Sequence, residues 1–323
     1  MTSTPSPTSL PESLSVPVPE SLSVPLSVPL DAVAVVESIA DLVGENYVFP
    51  DAARQLADLL RRRNAEGCYR PLNIEDLADA VTTDLRSVNG DLHLALKHHA
   101  VPVPPERGAA VLAAMRRDFD SSLGGVPRVE LLDRGVAVLE IGPKMFPLDW
   151  AAQPLAAALS LVAPARALVL DLRRNTGGDP DTVAFVCGYL LDRRTHLNTL
   201  LSRQGEVAEQ SWTPPFVPGA RFGGSKPLYV LTSGNTFSAG EELAYDLQQL
   251  GRAEVVGEAT RGGAHPREGW TVHPNLELSV PVARALNPVS GANWEGTGVR
   301  PDVPCDPDAA LDRALALAVA RLA

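Results

Sequence analysis

Cysteine is scarce in this chain, and so are aromatic side chains. Only Cys68, Cys187 and Cys305 occur in 323 residues, far apart and without a CxxC pair. That spacing excludes a disulfide framework and a thiolate zinc site, and leaves the three as small hydrophobes. Aromatics make up 5% of the residues against a hydrophobic content of 45%, so the core must be built from Ala, Val and Leu. No apolar run approaches the length of a membrane span. Basic residues form no long run and the net charge is −11, which argues against nucleic acid as a partner. The chain also lacks a basic stretch followed by an uninterrupted apolar one at its start, so no signal peptide is recognised and a cytoplasmic location is expected. Residues 1–30 instead repeat PESLSVP-like units. Proline at that density prevents helix and central strand, and a disordered tail is expected.

The remainder suffices for roughly two domains. Asp31 can cap a helix with Val33, Val36, Ile39, Leu42 and Val43 on one stripe. A second helix is expected from Asp51 with Leu56, Leu59 and Leu60 inward, and a third from Glu75 towards Leu85. A helical domain over 31–100 is therefore expected, ending in a strand at Asp91-Leu92-His93-Leu94. His98 and His99 are neighbours that would point to opposite sides of a strand, so no metal site is expected there. Residues 101–127 read as a connecting segment, broken by Val101-Pro-Val-Pro-Pro105 and then helical over Arg107–Phe119. The rest, 128–323, reads as the larger domain. It opens with a hairpin around Asp133-Arg-Gly135 and continues into a helix over Leu155–Leu161.

Ala167-Leu-Val-Leu-Asp-Leu172 has the continuous apolar character of a strand buried on both faces. The loop after it carries Gly177-Gly178, which lets backbone N–H groups turn outward; it lacks the Gly-Lys-Ser/Thr ending of a phosphate loop. Pro227–Thr232 is a second such strand. It runs through Gly234-Asn235 into a helix with Leu243, Ala244, Leu247 and Leu250 at helical spacing. Ser238 sits at that junction. One reading is a helix cap, since Ser238 and Glu241 form an S-x-x-E capping box. The other is a nucleophile on a turn, with N–H groups nearby for an oxyanion. Repeated strand–helix units indicate an α/β core.

The succession LVLDLRRNTGG, TSGNTFSAGEELAYDLQ, GRAEVVGEATRGGAHP and NWEGTGVRPDV resembles, in this order, the S41 serine peptidase family. That family includes the carboxy-terminal processing proteases, the tricorn core and the modules of interphotoreceptor retinoid-binding protein. The ENYVFP and DLHL segments resemble the N-terminal domain of the last branch. The resemblance implies a ClpP/crotonase-like α/β spiral core behind an N-terminal helical bundle. It also implies a peptide or protein substrate and no cofactor or metal. The retinoid-binding branch leaves open a module that binds a hydrophobic small molecule instead, and a homo-oligomer stays open as well.

Processing proteases of the family use a Ser-Lys dyad, but Gly263 occupies the lysine position and no lysine follows Lys226. Arg261 stays protonated and cannot act as a base. The tricorn-like arrangement remains, and by motif order the resemblance implies Ser238 as nucleophile, His93 as base and Glu295 as orienting carboxylate. Ala239, Gly177 and Gly178 would supply the oxyanion hole. The family's serine before the histidine is Leu92 here, with Asp91 as the adjacent polar residue. His265, in Gly262-Gly-Ala-His-Pro266, is a second candidate base.

Overall fold

The computed structural model describes residues 29–102 and 107–323. The tail expected over 1–30 lies almost wholly outside these residues, as does most of the proline break at 103–105. In chain order the elements are α1 (Ala32–Asn46), α2 (Pro50–Ala65), α3 (Ile74–Arg86), β1 (Ala95–His98), α4 (Arg107–Ser121), β2 (Arg128–Leu131), β3 (Val136–Glu140), α5 (Leu148–Val162), β4 (Ala167–Asp171) and α6 (Pro180–Leu190). There follow β5 (His196–Leu201), β6 (Val207–Trp212), β7 (Leu228–Thr232), α7 (Ala239–Gln249), β8 (Glu254–Gly257), β9 (Arg267–His273), β10 (Leu276–Pro281), β11 (Arg284–Leu286), β12 (Val303–Pro304) and α8 (Ala310–Leu322).

The N-terminal helices start where their caps put them. Asp31 accepts from the Ala34 N–H at 3.1 Å, and Asn73 from that of Asp76 at 2.9 Å. Their apolar stripes meet in a core of Val36, Ile39 and Val43 with Leu56, Leu60, Leu77 and Val81. Helices alone do not close this core. β1 pairs antiparallel with β10, which pairs with β9, and Leu276, Leu278 and Val280 of β10 enter the same cluster. The boundary expected at residue 100 thus divides the sequence but not the packing. Asp91-Leu92-His93-Leu94, expected as strand, is a turn, and extended pairing begins at Ala95. The Asp91 carboxylate causes this by accepting the His93 N–H at 3.0 Å, an Asx-type bond that competes with a ladder.

The larger part carries a six-stranded sheet in the order β12-β8-β7-β4-β3-β2, parallel except for the antiparallel edge pair β2–β3. Strands β3, β4 and β7 are buried along their whole length, and the pleat divides their residues between two layers. Ala137, Leu139, Leu168 and Leu170 join the cluster with α5, α6 and α7. Val136, Val138, Val169 and Leu231 face α8, whose Ala310, Ala314 and Ala318 stripe admits close approach. Parallel strands need crossover helices, so the ends of β4 and β7 emerge together. Loops leaving the carboxyl ends of neighbouring parallel strands are the usual place for a ligand. A further three-stranded sheet, β11-β5-β6, contributes residues to the cavity beside them.

Candidate active site

The loops after β4 and β7 are stitched together by backbone-directed bonds. Ser233 Oγ donates to Arg173 O at 2.7 Å, Thr236 Oγ1 to Leu172 O at 2.9 Å, and Phe237 N–H to Asn175 O at 3.1 Å. They hold Ser238 at φ 53°, ψ −122°, a region that costs a non-glycine residue roughly 1–3 kcal/mol. Such strain persists only when the surroundings over-determine it. Here Glu241, with no solvent exposure, accepts the Ser238 N–H at 2.8 Å. The same carboxylate accepts Thr260 Oγ1–H, the Gly262 N–H at 2.6 Å and the Gly263 N–H at 2.9 Å. Burial pushes the Glu241 pKa up, while these four donors oppose the rise. One carboxylate thus ties the serine turn to the loop that carries His265. The glutamate half of the capping box expected here is formed.

Gly177 is packed against the serine: a Cβ on it would lie 2.6 Å from Ser238 Cβ. Its N–H, however, donates to Asn175 Oδ1 at 2.9 Å. The sequence expectation that Gly177 contributes to the oxyanion hole is corrected on that ground, because its donor is already spent. Gly178 is different. Its φ of 142° and the position of Met145 O, 1.9 Å from where a Cβ would lie, admit glycine alone. Among the described residues, neither the Gly178 nor the Ala239 N–H meets an acceptor, and both residues line the cavity that Ser238 faces. The Ala239 N–H also belongs to the open N-terminal turn of α7.

His265 lines the same cavity. It is 4% exposed, and its Nδ1 lies 2.9 Å from Asp91 Oδ2 and 3.3 Å from Glu295 Oε2. Asp91 is 1% exposed and also accepts Tyr47 O–H at 3.1 Å. Burial would raise its pKa, but the bond and charge of His265 and the His93 N–H outweigh it and hold the carboxyl below its usual range. Glu295 accepts the Ala264 N–H at 2.6 Å, and its other oxygen is buried without a partner. Burial first, and then the Asp91 charge, push Glu295 from 4.5 up to about 7, against the attraction of His265.

His93 sits apart from the cavity lining. Its ring lies 4.8 Å from that of Phe237, its Nδ1 is buried without a partner, and burial lowers its pKa to about 4. His93, the expected base, packs against Phe237 next to the serine turn, while the second candidate, His265, lines the cavity with Ser238. Glu295 falls within reach of His265, as does Asp91. Side-chain atoms of Asp91, His93 and Glu295 come within 4.8 Å of one another. Asp91 already accepts from three donors there. At the position where a lysine would be expected, a Cβ on Gly263 would lie 2.3 Å from Phe237 and 2.7 Å from His93. The two rings fill that space.

Residues 145–305 match the model of peptidase family S41, and residues 26–121 match the N-terminal domain of Peptidase_S41 in eukaryotic IRBP. The chain belongs to peptidase family S41. A carboxyl-terminal-processing protease of Picosynechococcus is 33% identical over 141 residues, covering 43% of this chain and 32% of that protein. The matching part thus spans about a third of the length of the curated relatives. Among solved structures, a lipoprotein from Streptococcus agalactiae superposes with TM-score 0.62 at 18% identity, over 93% of this chain and 100% of that one. The photosystem II D1 C-terminal processing protease gives TM-score 0.54 at 17% identity, over 87% and 94%. The α/β core with an N-terminal helical unit is the architecture the family resemblance implies.

In this S41 chain the site is shared between the two matched regions. Ser238, His265 and Glu295 lie in residues 145–305, whereas Asp91 and its partner Tyr47 lie in residues 26–121. Asp91 as the carboxylate on the imidazole, Asn175 as the residue that occupies Gly177, and Glu241 as the brace of both loops were not legible from motif order. The one signal for Asp91 was its place beside His93 in a polar turn. No helix among the described residues is long and apolar enough to cross a membrane.

Proposed function

We propose that this chain is a serine-type peptidase in which Ser238 attacks the peptide carbonyl and His265 is its base. The observation that carries the reading is the shared cavity. It is lined by Ser238 on its strained turn, the unpaired N–H groups of Gly178 and Ala239, and an imidazole whose Nδ1 is fixed on Asp91. With Nδ1–H donating to Asp91, the lone pair of His265 is on Nε2, where it can accept the serine proton. The acyl oxygen becomes an oxyanion and takes the N–H bonds of Gly178 and Ala239. The imidazolium then returns its proton to the leaving amine, and water hydrolyses the acyl-enzyme by the same route. Asp91 orients the ring and stabilises its charged form, and Glu295 adds a second carboxylate beside Nδ1. His93 supports the turn through Phe237. The curated relatives are named for processing carboxyl termini, which favours a peptide or protein as substrate.

An alkyl fluorophosphonate tests the nucleophile: it should label wild type and leave Ser238→Ala unlabelled. Hydrolysis of a fluorogenic peptide tests the base. His265→Ala should lose several orders of magnitude in kcat/KM, and His93→Phe should keep most activity. The opposite ranking would move the base to His93, where motif order alone puts it.

A further inference from the structure

The cavity beside Ser238 measures about 270 Å³, near the lower limit of small-ligand sites at roughly 300 Å³. That size suits one side chain. Part of its lining is acidic. Asp181 from the start of α6, Glu209 from β6 and Glu242 from α7 line it, and no lysine or arginine does. Among the described residues, none of the three forms an ion pair. Glu242 follows Ser238 by four positions, so both side chains lie on one face of the same helix end. Burial, partly offset by a bond from Asn198 and reinforced by the charges of Asp179, Asp181 and Glu209, pushes Glu242 up to about 7.

Asn198 of β5 shows what this lining lacks. It is 1% exposed, and its amide Nδ2 donates to Glu242 Oε1 at 3.1 Å and to Asp246 Oδ1 at 3.1 Å. Asp246 is fully buried and takes a second amide from Asn287 at 3.0 Å, and burial together with the Glu242 charge pushes its pKa well up. The Asn198 Oδ1 is buried and meets no donor among the described residues. A buried acceptor left empty is costly, and burial together with mutual repulsion drives Glu242 and Asp246 towards their neutral forms, which a neighbouring cation would reverse. One ligand chemistry suits this acidic lining: a cationic group with several N–H donors. Leu200 and Trp294 flank the same cavity and offer apolar sides for a methylene stem.

We infer that this cavity is a specificity subsite for a lysine or arginine side chain of the substrate, on the residue adjacent to the bond Ser238 cleaves. The head group donates to Glu242, and Glu209 and Asp181 at the entrance attract it. The inference rests on the proposed peptidase reading for the chemistry it serves, but not for the binding itself.

The test uses the full chain and fluorogenic peptides that differ only in the residue on the acyl side of the cleaved bond. Arginine and lysine should exceed leucine by at least tenfold in kcat/KM, and glutamate should be the poorest. Glu242→Gln and Glu209→Gln, the latter at an exposed position outside the core, should each shrink the arginine-to-leucine ratio. Benzamidinium, followed by isothermal titration, should bind wild type and bind Glu242→Gln at least tenfold more weakly. Equal hydrolysis of the arginine and leucine peptides, or benzamidinium binding that is absent or indifferent to Glu242, overturns the subsite. If the neutral fluorophosphonate fails to label Ser238, the peptidase reading falls instead, and the benzamidinium titration still decides the subsite.

Discussion

Replacing Asp91 by asparagine should abolish most activity while leaving the fold in place. The carboxylate accepts from His265 Nδ1 at 2.9 Å, Tyr47 O–H at 3.1 Å and the His93 N–H at 3.0 Å. Asparagine has the same shape but one oxygen and one NH2 group. Keeping the oxygen on the His93 N–H turns the NH2 towards His265 and Tyr47. His265 must then accept at Nδ1 and carry its proton on Nε2, the wrong tautomer for receiving the serine proton. Where this switch is made in a serine protease triad, kcat falls about 10⁴-fold, which corresponds to about 5.4 kcal/mol of barrier. The structural cost is smaller, about 1–3 kcal/mol for the disturbed buried bonds, or a Tm lowered by roughly 2–4 °C per kcal/mol. The assay is kcat/KM on a fluorogenic peptide, with circular dichroism to verify folding. A folded Asp91→Asn within tenfold of wild type refutes the reasoning, all the more if His93→Phe is the inactive one.

Glu241→Gln should destabilise the chain, because a carboxylate that takes four donors becomes an amide whose NH2 faces two of them. The expected loss is about 2–5 kcal/mol, read as a lowered denaturant midpoint; a change below 0.5 kcal/mol would contradict the brace. Gly178→Ala puts a methyl 1.9 Å from Met145 O and should abolish fluorophosphonate labelling, whereas Gly205→Ala, with open space around it, should label normally. Two variants should tilt the pH dependence of stability in opposite ways. His93 is held neutral down to about 4 instead of 6.5, so between these values the unfolded chain binds the extra proton and folding weakens as pH falls. His93→Phe should therefore gain stability relative to wild type as pH falls from 6.5 to 4. Glu295 is raised from 4.5 to about 7, so there the folded state binds the extra proton and its contribution is lost as pH rises. Glu295→Gln should gain relative to wild type from pH 4.5 to 7, each slope reaching at most about 1.4 kcal/mol per pH unit. Parallel curves for wild type and either variant would contradict the burial argument for that residue.

Much of this protein was legible in one dimension because its signals are local. Continuous apolar runs at 167–172 and 227–232 announce strands buried on two faces, since only crossover helices on both sides leave no polar face. Ser238 followed by Glu241 marks a helix start, and the hairpin at Asp133–Gly135 is written in its turn residues. The absence of lysine after Lys226 removed one base, and Gly263 is indeed a position where two rings leave no room for any side chain. The four residues given catalytic weight, Ser238, His93, Glu295 and His265, do gather in one region. Tertiary structure decided how they are connected. Whether an imidazole nitrogen meets a carboxylate depends on how the turn at Asp91 docks on a loop 174 positions later, and no periodicity encodes that. Motif order named His93 first; in the structure its ring packs against Phe237, and His265 lines the cavity with Ser238. Likewise, Gly177 and Gly178 are indistinguishable as letters; the Asn175 side chain takes the N–H of one and leaves the other open. Local backbone preference is carried by neighbouring residues, whereas the protonation, orientation and availability of a polar group depend on whichever distant atoms pack against it.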